Sequence, residues 1–125
     1  PIKDNMEMIL GQDKVVFEQF LEQGKIEIEA LTYIRGRSIA NAFIVIDEAQ
    51  NLTRHEIKTI ITRIGENTKI VLTGDVEQID NVYVNETTNG LAHAVENFKK
   101  HIIAGHVTFR KGERSELATL ASKVL

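Results

Sequence analysis

The stretch Phe43-Ile44-Val45-Ile46-Asp47-Glu48-Ala49-Gln50 decides the fold. Four apolar residues in a row, mostly β-branched, predict a strand buried on both faces. The run then stops abruptly at two carboxylates. Downstream, Ile57, Ile60, Ile61 and Ile64 recur at helical spacing, and Thr53 with Glu56 predicts a capping box at the start of that helix. Gly65 is placed to end it in the left-handed conformation. Lys69 to Thr73 predicts a second buried strand, and Leu91, Ala94, Val95 and Phe98 predict a helix capped by Asn89. A short strand over 106–109 and a last helix carrying Leu117, Leu120, Ala121 and Val124 complete this half. Upstream, residues 5–10 and 14–22 predict two short helices, interrupted near Gly11 and stopped by Gly24. Alternation over 26–31 predicts a half-exposed strand, and 33–41 a loop or a single helical turn. Strands alternating with amphipathic helices predict an α/β domain built on a mostly parallel sheet.

Composition narrows the function classes. The 125 residues are 42% hydrophobic and 26% charged, with a net charge of −3, as in ordinary globular domains. No apolar run approaches the roughly 20 residues of a membrane-spanning helix, so no membrane partner is expected. The absence of cysteine rules out disulfides and thiolate metal sites and fits a reducing, cytoplasmic setting. A pI of about 5.8 argues against gripping nucleic acid by bulk charge. With one proline and scattered glycines there is no linker or repeat, so one continuous domain over 1–125 is expected. The chain opens on Pro1 rather than Met, which suggests a processed start or a piece of a longer protein.

In parallel sheets, ligands bind beyond the carboxyl ends of the strands. The first strand delivers Asp47 and Glu48 there, and the second delivers Thr73-Gly74-Asp75, followed by Gln78 and Asp80. An Asp in this place can hold Mg²⁺, and a Glu beside it can polarise a water that attacks a γ-phosphate. Gln78 can bond that phosphate or water and report hydrolysis. Taken singly, each motif has a plain alternative. Carboxylates are common where a strand leaves a core, and Gly-Asp is ordinary turn chemistry. Parallel pairing would bring the two together, which makes coincidence a poor explanation.

Four segments in order closely resemble the PhoH-like family of P-loop ATPases, which is related to superfamily 1 helicases. They are Tyr33-Ile34-Arg35-Gly36-Arg37, Phe43 through Asn51, Thr73-Gly74-Asp75 through Gln78 and Asp80, and Lys111-Gly112-Glu113-Arg114-Ser115-Glu116-Leu117. The last looks most like the branch that fuses a PIN nuclease domain to the ATPase. The resemblance implies that Asp47 and Glu48 are the Walker B pair, that Asp47 holds Mg²⁺ through water, and that Gln78 senses phosphate. It implies ATP and Mg²⁺ as cofactors, hydrolysis coupled to RNA unwinding or processing, and a homo-oligomeric ring.

One family element has no match. No stretch fits Gly-x-x-x-x-Gly-Lys-Ser/Thr, the backbone cradle for phosphates. In the family that loop precedes the segment where this chain begins. The expectation is therefore a partial P-loop NTPase domain of the RecA/helicase-like type, its C-terminal portion, lacking the Walker A strand and inactive alone. Residues 69–73 would then form an apolar sheet edge, open to pairing with another chain. Arg114 falls near a helix start, where the macrodipole disfavours a cation. It suits a γ-phosphate in its own or a neighbouring subunit, unless Glu113 and Glu116 neutralise it locally. Arg35 and Arg37 suit a nucleic-acid backbone or a neighbouring subunit, or else only a solvated loop. His55 is expected on the exposed side of its helix, and neither it nor His101 and His106 suggests a zinc site. Two alternatives are a non-catalytic RNA-binding or oligomerisation module of the same fold, and a different superfamily 1 helicase.

Overall fold

A computed structural model describes residues 2–11, 14–34, 36–110 and 115–124. The chain divides into two compact units, Pro1–Ile39 and Ala40–Leu125. In the first, α1 (Ile2–Ile9) and α2 (Lys14–Glu22) pack together. Gly11 (φ 75) and Gly24 (φ 65) end them in left-handed backbone, the conformation that favours glycine there. Phe17 of α2 is fully buried.

The strand expected over 26–31 does not form. Residues 27–30 have no ladder partner among the described residues, and Leu31–Ile34 is a turn of 3-10 helix. Glu27 and Glu29, two apart, meet Arg37 at 3.8 and 3.4 Å. Their alternation with apolar neighbours thus serves an ion-pair cluster rather than a sheet.

The second unit is α/β. β1 (Phe43–Ile46) pairs in parallel with β2 (Lys69–Leu72), in the register Phe43↔Lys69 through Ile46↔Leu72. The crossover between them carries α3 (Arg54–Ile61), where both halves of the expected capping box are present. α4 (Gly90–Phe98) lies against α3 and is capped by Asn89, whose Oδ1 accepts from the Ala92 N–H at 2.8 Å. α5 (Glu116–Val124) forms as expected. The buried apolar side chains here include Ile46, Ala49, Ile57, Ile60 and Ala94.

Three expectations in this unit need correction. Neither strand is buried on both faces: Phe43 and Val45 are 67% and 48% exposed while Ile46 is buried, and in β2, also expected to be buried, Lys69 is exposed and Ile70, Val71 and Leu72 are only half-buried. Apolar composition says what a strand can bury, whereas burial itself needs a layer lying on that face. Gly65 is not left-handed; that conformation falls on Asn67 (φ 53), after α3 has already ended at Ile61. No strand forms over 106–109, where Val107 and Phe109 are 75% and 90% exposed. The His106 ring and Thr108 hydroxyl lie 2.9 Å apart in that segment, as i and i+2 do in an extended chain, but no ladder accompanies them.

Candidate active site at two strand ends

The parallel register carries Asp47 and Thr73 out of the sheet side by side. One ladder step past the strands persists, with Thr73 N–H donating to Ile46 O (2.9 Å) and Ala49 N–H to Thr73 O (2.8 Å). The Thr73 hydroxyl then donates to Asp47 Oδ1 at 2.8 Å, and the Glu48 N–H donates to the same oxygen at 3.1 Å. Among the described residues Asp47 Oδ2 accepts no hydrogen bond, and the side chain is exposed. Two donors on Oδ1 orient the carboxylate and leave Oδ2 without a hydrogen bond among the described residues. An oriented carboxylate beside a hydroxyl suits a hard cation such as Mg²⁺, which takes oxygen ligands and keeps several waters.

Glu48 is also exposed, and its backbone is left-handed (φ 55, ψ 35). That conformation costs a non-glycine residue roughly 1–2 kcal/mol. It lets the chain turn at once into the 3-10 turn Ala49–Asn51. Gln50 is fully buried within that turn. Its Nε2 donates to Glu48 Oε2 (2.6 Å) and to Gln78 O (2.9 Å), and its Oε1 accepts from the Asp75 N–H (3.2 Å). Gly74 makes this possible by close approach, since a Cβ there would fall on Gln50 Oε1 and 2.9 Å from the Leu91 side chain.

Beyond Gly74 the chain turns tightly. Asp75 accepts from the Glu77 N–H (2.9 Å) through Oδ1 and from Gln78 Nε2 (2.6 Å) through Oδ2, which gives the Gln78 side chain a set position. Asn51 Oδ1 accepts from the N–H groups of Asp80 (2.8 Å) and Asn81 (3.1 Å), and Asn81 Nδ2 returns a bond to Asn51 O (2.7 Å). Behind this, the Gly90 N–H donates to Leu52 O at 2.6 Å.

Asp47, Glu48, Thr73, Gly74, Asp75 and Gln78 are therefore brought together, as parallel pairing requires. Arg37 lies in the first unit with its guanidinium beside Glu27 and Glu29. Arg35 and Arg114 lie outside the described residues. His55 is exposed on α3. The sequence reading gives no role to Gln50 or Asn51, whose side chains link the two strand ends. The available signal is two amides immediately after a carboxylate pair, at a point where a chain re-entering a core would ordinarily present apolar residues.

Residues 1–124 match the family described as PhoH-like protein. The chain is 56% identical to Protein PhoH2 of Bacillus subtilis over an alignment covering all of this chain and 29% of that protein. It is 40% identical to Protein PhoH2 of Mycolicibacterium smegmatis, over 88% of the chain and 25% of that protein. It is 36% identical to Protein PhoH of Escherichia coli, over 89% of the chain and 31% of that protein. The chain thus spans less than a third of the length of these relatives. With the family matching along nearly its whole length, this chain belongs to the PhoH-like proteins.

Proposed function

We propose that these 125 residues are the C-terminal portion of a P-loop ATPase domain and carry its hydrolysis and sensing groups. The observation that supports this most is the Thr73–Asp47 hydrogen bond of 2.8 Å at the ends of two parallel strands, with exposed Glu48 beside it. Asp47, its carboxylate oriented by Thr73, would hold Mg²⁺, which would supply charge neutralisation on the phosphates. Glu48 accepts a proton from the attacking water, and Gln78 contacts the γ-phosphate or that water. Gly74 and Asp75 shape the phosphate side of the site. Residues outside this sequence supply the phosphate cradle, and Arg114 approaches the γ-phosphate from its own or a neighbouring subunit.

Family membership supports the coarser reading of an ATPase-like protein. Coupling to RNA, with Arg35 and Arg37 on the nucleic acid or a subunit boundary, and assembly into a ring are part of the same proposal. Among the described residues no helix is long and apolar enough to cross a membrane.

The test is calorimetric titration of ATP into the full-length protein, with Mg²⁺ or with EDTA, for the native sequence and Asp47→Ala. The reading expects a Mg²⁺-dependent gain in affinity that Asp47→Ala removes. Equal affinities for both proteins in Mg²⁺ would contradict the role of Asp47. No nucleotide binding by the native protein would favour a non-catalytic module of the same fold.

A further inference from the structure

We infer that Gln50 is a positioning residue that holds the Glu48 carboxylate and joins it rigidly to the Gln78 turn. The inference rests on the proposed role of Glu48 as base. Burying an amide costs free energy unless its bonds are made, and an apolar side chain would fill the same space without that demand. Here the polar atoms of the amide are used across the two strand ends. Both Nε2 bonds go to acceptors, Glu48 Oε2 and Gln78 O, while Oε1 faces the Asp75 N–H donor. Turning the amide over would set acceptor against acceptor, so its orientation is fixed by its neighbours. Full burial and the close approach of Gly74 leave the group no other position.

The consequence is mechanical. Glu48 is exposed and its backbone is left-handed, so Gln50 is what restrains its carboxylate among the described residues. The same planar amide grips the main chain of Gln78, whose side chain is set by Asp75. A displacement of the Gln78 turn by a phosphate therefore reaches Glu48 through one stiff group.

The experiment is a double-mutant cycle in the full-length protein, reading kcat, KM, ATP affinity by calorimetry and the thermal midpoint. Gln50→Met keeps length and volume and removes the hydrogen bonds. It is expected to lower kcat by on the order of tenfold to a hundredfold, as misplacement of a reacting group does, with ATP affinity changed by less than about twofold. In a Glu48→Gln background the same substitution should change residual turnover by less than about twofold, because it acts through Glu48. Equal losses in both backgrounds would mean a structural role and overturn the inference, as would an unchanged kcat. Should Gln50→Met fail to fold, Gln50→Leu, which likewise removes the donor to Glu48 and introduces no charge, is held to the same expectations. If Glu48→Gln lowers turnover and the Gln50 variants do not, this inference alone fails. If Glu48→Gln has no effect, the base reading fails and takes this one with it.

Discussion

The two ends of the β1–β2 pair both turn through left-handed backbone, but with different residues. At the amino end the turns use Asn41 (φ 55) and Asn67 (φ 53), and Asn67 Nδ2 donates to Asn41 Oδ1 at 3.2 Å. Asparagine tolerates that conformation, so this end answers to folding alone. At the carboxyl end the left-handed residue is Glu48. Local conformation does not ask for a glutamate there, and the bonds around it run between two distant segments of the chain. The difference separates a turn selected for its shape from a turn that tolerates strain to present a carboxylate.

Substitutions at five positions test that contrast. The largest effect is expected behind the carboxyl end, at Gly90, where an added Cβ would lie 2.7 Å from Thr53 O and 2.9 Å from Leu52 O. Backbone oxygens cannot swing aside, so Gly90→Ala should cost about 3 kcal/mol in chemical denaturation. A loss below about 0.5 kcal/mol would show that this backing is not rigid. Next, Thr73→Val keeps shape and removes the hydroxyl bonded to Asp47. Turnover of the full-length protein should fall roughly tenfold to a hundredfold, while stability changes by no more than about 1.5 kcal/mol. Unaltered turnover would dissolve the distinction between the two ends.

At the amino end the pattern should invert. Asn67→Val places a β-branched residue in left-handed backbone and should cost about 1–2 kcal/mol, with kcat unchanged. A large fall in kcat without unfolding would count against a purely conformational role. The smallest effect belongs to Arg37, whose ion pairs with Glu27 and Glu29 are exposed. Arg37→Ala should move stability by less than about 1 kcal/mol. In fluorescence anisotropy Arg35→Ala/Arg37→Ala should weaken salt-dependent RNA binding, and unchanged binding would remove both residues from that role.

Legibility in the sequence follows the same division between local and distant causes. The Thr53–Glu56 capping box and the Asn89 cap are set by residues a few positions apart and appear as read, whereas the isoleucine stripe holds for Ile57, Ile60 and Ile61 only, since α3 ends before Ile64. The strands read over 26–31 and 106–109 failed because alternation supplies only half of a ladder. The partner segment is a tertiary fact. Gly65 failed differently, since a glycine permits left-handed backbone without requiring it: α3 ends earlier, at Ile61 with a right-handed cap at Thr62, and the left-handed residue Asn67 belongs to the turn before β2. At the site, the nearness of Asp47 and Thr73 was legible because parallel pairing follows from a βαβ pattern, while the register that sets them side by side is a finding of the structure. Gln50 was not, because its burial depends on a glycine 24 positions later.

On the reading proposed above, the carboxyl end places Glu48 to take a proton from the water that attacks a nucleotide phosphate. The most direct test measures ATP turnover and ATP affinity together for full-length Glu48→Gln. The account predicts a kcat lower by on the order of a hundredfold to ten-thousandfold, with Mg-ATP still bound as tightly as by the native protein. Native turnover in that variant would contradict it.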